Sequence, residues 1–419
     1  MYRKTKLDNG ITVISEFMPQ TPACALGFWF ATGTRWDPAD SPGLAHFAEH
    51  MFFKGTKKRS AWQLAREMDI LGGRVNAFTE QEQTCFHIVT LGDHLERAFE
   101  LLTDMLLNSL FDPEELEREK NVVCEEIKMV EDSLDELASD LFYQAVWPNH
   151  PLGKPIQGTV ESVSAFDVGR LREFCRDFYR PERLIISAAG KVGHEALLSL
   201  AERYWSGVAA PGGAAPKELP GGRPAPSRGR VVRYKSAEQV NFCCGGPGLA
   251  CGDPRYYALW VLDSILGDSL SCRLFQEIRE KCGLAYSIET FRESYLDCGL
   301  FGVEAAASAE NVGAVLEKIS HIFAEIRREG VSADELRAAK EHRRSELLLG
   351  SDSASARMER LAQDERLYGR YVSLEEVCGE IDRVSCEDVH RLAREILNSD
   401  NYTLAAAGPA EADLTLQPF

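Results

Sequence analysis

Residues 163–174 read VSAFDVGRLREF, and residues 384–395 read VSCEDVHRLARE. The two stretches begin 221 residues apart, and each runs into a strand-like segment ending in glycine: RLIISAAG (183–190) and YTLAAAG (402–408). A second pair, DPEELEREK (112–120) and SADELRAAK (332–340), recurs at a spacing of 220. Two matches at nearly one spacing imply a duplicated domain. Between the copies lies GVAAPGGAAPKELPGGRPAPSRG (207–229), rich in Gly, Pro and Ala and without apolar periodicity. Such composition reads as a linker. The expected division is a first domain at 1–206, the linker at 207–229, and a second, homologous domain at 230–419.

Within the first copy, strands and helices alternate. ITVISEF (11–17) and CALGFWFATG (24–33) read as strands. SPGLAHFAEHMFFKG (41–55) reads as a helix, with Ser41 as N-cap, Pro42 at the first position and Gly55 as the stop. SAWQLAREMDILGG (60–73) reads as a second helix. RVNAFT and TCFHIVT form a hairpin around EQEQ. The segment from 112 to 133 is a long helix, with Asp112 as cap, Pro113 at the first position and Glu115 placed for a capping box. The order implies an α+β fold of two related domains, each a mainly antiparallel sheet covered by helices.

The bulk properties exclude several classes. The 419 residues carry a net charge of −18 and show no basic stripe, so nucleic acid is not an expected partner. No run of eighteen apolar residues offers a membrane span, so membrane insertion is not expected. The opening MYRKTKLDNGITVISEF has no apolar signal-peptide core, and the twelve cysteines include no CxxC. A cytoplasmic chain with reduced thiols is the expectation.

Chemistry concentrates at HFAEHMFFKGT (46–56). At about 100° per helical residue, His46 and His50 share one face a turn apart, and both imidazoles can reach one ion. Glu49 lies to the side, close enough to hold a water without being a ligand. This is HExxH written in reverse. Two core histidines and a surface glutamate would be spelled the same way. However, Leu44, Phe47, Met51 and Phe52 cover the core side of the helix, and burying unpaired imidazoles and a carboxylate beside them is costly. A hydrolytic site needs a third ligand. The helix at 112–131 offers Glu114, Glu115, Glu117, Glu119, Glu125, Glu126 and Glu131. Glu119 and Glu126 share a face, but spacing leaves the choice open, and glutamate-rich helices are usually just solvated.

With GLAHFAEHMFFKGT (43–56), GGRVNAFTEQEQTCFH (72–87), EREKNVVCEEIKMVED (117–132), PLGKPIQGT (151–159) and RLFQEIREKCGLAYSI (273–288), the chain resembles the pitrilysin/insulinase clan of inverted-motif zinc peptidases. More narrowly, it resembles the mitochondrial processing peptidase β-subunit and its bacterial relatives. The resemblance covers most of the chain. It implies Zn2+ held by His46, His50 and a glutamate 76 residues after the second histidine, which is Glu126. It implies that Glu49 takes a proton from the attacking water and passes it to the leaving amine, with Glu119 supporting the site. Asn76, Ala77 and Phe78 would receive the peptide substrate as an added β-strand. Arg279 and Tyr286 would meet substrate and its carbonyl. The second copy has no HxxEH; YALWVLDSILGD (257–268) is the expected counterpart of the histidine helix and has no histidine. The second domain would be a silent lid, and two domains would make half a clamshell, completed by a second copy as a homodimer. A non-catalytic scaffold subunit, or a processing subunit needing a distinct partner chain, are the rival readings. One departure stands out: LGDSLSC (266–272) replaces the glycine-rich run usual in bacterial relatives.

Overall fold

The computed structural model describes residues 2–72, 74–208, 219–409, 414–415 and 418, so part of the 207–229 segment (209–218) lies outside the described residues. The first copy contains β1 (Tyr2–Lys6), β2 (Thr12–Phe17), β3 (Ala23–Phe30), α1 (Leu44–Phe52), α2 (Ala61–Ile70), β4 (Arg74–Thr79) and β5 (Thr84–Leu91). It continues with α3 (Leu95–Asn108), α4 (Pro113–Asp132), α5 (Leu134–Val146), α6 (Val160–Ser164), α7 (Val168–Phe178), β6 (Leu184–Gly190) and α8 (His194–Trp205). The second contains β7 (Arg230–Tyr234), β8 (Gln239–Pro247), α9 (Tyr256–Leu266), β9 (Ser287–Ser294) and β10 (Gly299–Ser308). After it come α10 (Val312–Glu329), α11 (Ala333–Gly350), α12 (Ala354–Tyr368), α13 (Leu374–Arg383), α14 (Cys386–Ile396) and β11 (Thr403–Gly408).

The first sheet has the order β1-β2-β6-β3-β5-β4, and the second β7-β11-β8-β10-β9. In each, one pair is parallel (β2 with β6, β11 with β7) and the remaining pairs are antiparallel. Apart from the extra β1, the orders match strand for strand. The repeated stretches become equivalent helices, α7 with α14 and α4 with α11, as a duplicated plan requires.

Side-chain alternation sets the layers. Leu26, Phe28 and Phe30 of β3 join Ile186 and Ala188 of β6 in a core covered by helices α1, α3, α7 and α8. Ala25 and Trp29 face the other way, with Ala189 and Cys85, and meet Ala354, Met358 and Ala362 of α12. In the second sheet, Phe242, Phe301 and Val303 pack with α9 and α10, whereas Cys243, Leu300, Ala405 and Ala407 meet Leu137, Ala138, Leu141 and Phe142 of α5.

The compact units therefore differ from the contiguous halves expected at 1–206 and 230–419. One comprises Met1–Ile127, Pro155–Pro220 and Gly350–Tyr371; the other comprises Lys128–Lys154, Gly221–Leu349 and Val372–Phe419. Each copy gives up one helix: α5, which follows α4, and α12, which follows α11. A two-sided sheet must bury both faces, and here the second face is covered by the other copy's helix. Gly27 shows how close the α12 contact is: a Cβ there would come within 2.5 Å of Met358 Sδ.

Two local readings are corrected. Helix α1 starts at Leu44, not at Pro42, and its cap is not Ser41. Gly43 takes φ +89°, and the Asp37 carboxylate accepts from Gly43 N (2.7 Å) and Ala45 N (2.8 Å). The positive φ favours glycine there. Helix α4 begins as expected, with Asp112 accepting from Glu114 N (2.8 Å) and Glu115 N (3.2 Å), but the Glu115 carboxylate pairs with Arg118.

Candidate metal centre and its surroundings

Helix α1 buries Leu44, Phe47, Met51 and Phe52 and turns His46, Glu49 and His50 toward α4 and β4. One ligand atom from each of His46, His50 and Glu126 lies within 4.8 Å of the others. The imidazole rings are 4.5 Å apart, and His50 Nε2 is 3.5 Å from Glu126 Oε2. His50 Nδ1 is engaged by Glu119 Oε1 at 2.9 Å, and Lys54 Nζ reaches Glu119 Oε2 at 2.5 Å. Glu119 thus fixes the His50 ring from behind and leaves Nε2 for the shared space. Glu49 is 8% exposed and accepts from Thr79 Oγ1 at 2.6 Å.

Electrostatics agree with this division of labour. Burial, with the neighbouring His50, pushes His46 down to about 3, so its ring is neutral at ordinary pH and its lone pair is free. Burial alone would lower His50 too, but the Glu119 hydrogen bond and the charges of Glu126, Glu119 and Glu49 raise it. Burial raises Glu49 despite the Thr79 bond. Burial would raise Glu119, but His50 and Lys54 overcome it and hold it below the usual range.

The donor set suits a divalent cation. Two imidazoles and one carboxylate are a known zinc ligand chemistry. His46 Nδ1 is buried with no hydrogen-bond partner, a cost that a bound ion at this ring would help offset.

Comparison with known proteins identifies the family. Residues 12–160 match the family described as Insulinase (Peptidase family M16), and residues 165–342 match the Peptidase M16 inactive domain. The uncharacterized zinc protease YmxG of Bacillus subtilis is 38% identical over 410 residues, covering 98% of this chain and 99% of its own. An uncharacterized zinc protease of Mycobacterium tuberculosis is 36% identical, covering 97% of this chain and 93% of its own. The chain belongs to peptidase family M16. It falls within the pitrilysin/insulinase clan that the motifs resemble. The fold follows: a Pseudomonas fluorescens crystal structure of a peptidase M16 inactive domain superposes with a TM-score of 0.90 at 22% identity, covering 100% of both chains. A Helicobacter pylori protease superposes at 0.91 and 20%, covering 98% of this chain and 99% of that one.

In this M16 chain, Asn76, Ala77 and Phe78 lie on β4, at the edge of the first sheet, where the strand's described ladder runs only to β5. Asn76 is exposed, and Ala77 and Phe78 are half-buried. Such an edge can accept a further strand. Glu119, Glu126, Glu49, both histidines and this strand all belong to the first unit. Arg279 and Tyr286 belong to the second. Arg279 lies in a π-helical turn (Phe275–Glu280) with its guanidinium 4.8 Å from the Phe275 ring centroid, and Tyr286 is 73% exposed just before β9. Tyr286 also lines a cavity of 510 Å³ in that unit, together with Asp135, Glu136, Glu289 and Glu304. Glu289 and Glu304 are register partners on adjacent strands; burial, and then Glu289, raise Glu304.

The second unit's counterpart of the histidine helix is α9, as expected. Its Asp263 is buried and bonded to Thr290 Oγ1 (2.6 Å), Arg292 Nε (3.0 Å) and Arg343 Nη2 (2.8 Å). Asp268, His342 and Glu346 also converge, but Arg343 pairs with both Asp268 and Glu346. The buried Arg343 guanidinium already pairs with these carboxylates.

The sequence reading missed two residues, Lys54 and Thr79. Neither carries a sequence signal of its own, since a lysine after a helix and a threonine closing a strand are ordinary.

Proposed function

We propose that this M16 chain is a zinc-dependent endopeptidase that cleaves peptides or unfolded segments laid along β4. The observation that carries this reading is the convergence of His46, His50 and Glu126 with the buried Glu49 carboxylate beside them. His46, His50 and Glu126 would hold Zn2+. When bound, the metal supplies Lewis-acid polarisation and makes water a nucleophile at neutral pH. The chain's own residues do the rest. Glu49 accepts the proton of the attacking water and delivers it to the leaving amine nitrogen. Glu119, held by Lys54, keeps the His50 ring turned with Nε2 toward Glu126, where the two would hold the ion. The backbone of Asn76–Phe78 pairs with an extended peptide, which gives affinity with little sequence demand. Arg279 contacts the substrate, and the Tyr286 hydroxyl donates to the carbonyl oxygen as charge develops there.

The working form in this reading is a homodimer that encloses a chamber. The likeness to the mitochondrial processing peptidase β-subunit favours a processing role, and a processing subunit that needs a distinct partner chain is the second reading. A non-catalytic scaffold is disfavoured because every motif residue is present. The twelve cysteines follow no regular disulfide framework in the sequence, which suits a reducing compartment such as the cytoplasm. No helix among the described residues is long and apolar enough to cross a membrane.

The test is metal analysis together with digestion of a mixed peptide set, with and without chelator. About one zinc per chain and chelator-sensitive cleavage at internal bonds are expected. Cleavage that survives complete metal removal would refute the reading.

A further inference from the structure

The edge strand and the base are joined by one hydrogen bond. Thr79 is the last residue of β4, directly after the Asn76–Phe78 stretch, and its hydroxyl donates to Glu49 Oε2 at 2.6 Å. Both side chains are buried, Thr79 at 7% and Glu49 at 8% exposure. A hydroxyl-to-carboxylate bond of this length is charge-assisted and strong. Thr79 is also held from behind. Its register partner is Thr84, 3.5 Å away hydroxyl to hydroxyl, and Thr84 gives its own proton to Thr32 O at 2.9 Å. Thr84 therefore leaves Thr79 as the donor to Glu49.

We propose that Thr79 is the positioning residue that couples the substrate strand to the base. Its hydroxyl fixes Glu49 Oε2, so that Oε1 is the oxygen that takes the proton from water and releases it to the amine nitrogen. Thr79 keeps its own proton throughout. Pairing of an extended peptide along the free edge of β4 steadies the strand's last residue, and through it the carboxylate. This role rests on the peptidase reaction proposed above.

The consequence is a split between binding and turnover. The hydroxyl lies on the base side of the strand, whereas a peptide pairs with the backbone. Removing the hydroxyl should therefore spare binding and harm the chemical step, because small misplacements of a reacting group cost up to about 100-fold.

The experiment compares the full-length zinc-loaded chain with Thr79→Val, which keeps the shape and loses the hydroxyl, and Thr79→Ser, which keeps the hydroxyl. For Thr79→Val, kcat should fall about 10- to 100-fold, with KM and zinc content changed less than about twofold. Thr79→Ser should recover kcat to within about threefold of the starting chain. On a Glu49→Gln background, which traps bound peptide, Thr79→Val should leave the affinity for a fluorescent peptide unchanged. Crystals of Thr79→Val should show the Glu49 carboxylate rotated or split between two positions. An unchanged kcat, a rise in KM alone, equal losses in the Val and Ser variants, or an unmoved Glu49 carboxylate would each overturn the proposal. If Thr79→Val fails to fold, Thr79→Ser and Thr79→Ala bracket the same comparison. If the starting chain cleaves no peptide, the peptidase reaction is lost, and the carboxylate position in the Thr79→Val crystal still decides the role of Thr79.

Discussion

Glu49 shares its helix with two imidazoles and accepts a hydrogen bond from Thr79, the last residue of β4. Its role and theirs separate in simple variants. Glu49→Gln should keep the fold and the zinc and lose at least about 100-fold in kcat, since an amide cannot accept the proton. His50→Ala should instead lose the zinc, read by elemental analysis, because the remaining pair is too few ligands for tight binding. A pH effect belongs to this scale too. Burial first, then Glu136 and Glu131, raise Asp140 from 3.8 to about 6. An acid with a raised folded pKa favours folding below its unfolded value, and that contribution is lost as pH rises through the window from 3.8 to about 6. Above it, Asp140→Asn should stabilise the protein by about 1–3 kcal/mol, with no gain below pH 3.8. Urea titrations across this range would check it; a gain that is the same at all pH values would contradict the assignment.

The elements that matter most are the two exchanged helices. Helix α12 comes from the second copy of the sequence, yet it covers Trp29, Ala25 and Met18 of the first sheet. A fragment ending at residue 227 would lack it and leave an apolar sheet face open to water. That fragment is expected to aggregate or unfold, whereas co-expression with a segment spanning 350–371 should restore soluble, zinc-binding protein. A stable monomeric fragment that binds zinc alone would show that α12 is dispensable. The residue just before β9 carries a different expectation. Tyr286→Phe should lower kcat by about 10-fold or more with little change in KM, because the lost donor acts as charge develops on the carbonyl oxygen. An equal loss in a binding assay would argue for a contact made in the ground state.

At the scale of the whole molecule, charge and assembly give the remaining expectations. The net charge of −18 and the acidic cavity around Glu136, Glu289 and Glu304 favour basic peptides. Competition among basic, neutral and acidic peptides should rank them in that order, and the preference should weaken from low to high salt. No salt effect, or a preference for acidic peptides, would count against electrostatic selection. Mass measurement in solution should give a dimer at assay concentration; an active monomer would remove the dimer and leave the peptidase reaction standing.

The sequence by itself determined what depends on local spacing and repetition. The duplication was legible because two stretches recur at 220 and 221 residues, and the candidate metal helix because His46 and His50 are one helical turn apart. The choice of Glu126 over its neighbours came from resemblance, since a helix studded with glutamates gives spacing nothing to discriminate. Tertiary structure alone decided the rest. Asp37 caps α1 from six residues before Gly43, Thr79 reaches Glu49 across 30 residues, and Lys54 steadies Glu119 across 65. The exchange of α5 and α12 is the largest such case. Both helices are ordinary in pattern, and an amphipathic face specifies that it must be buried but not against which sheet. That choice is made by shape, as at Gly27 beneath Met358, and shape exists only once the chain has folded.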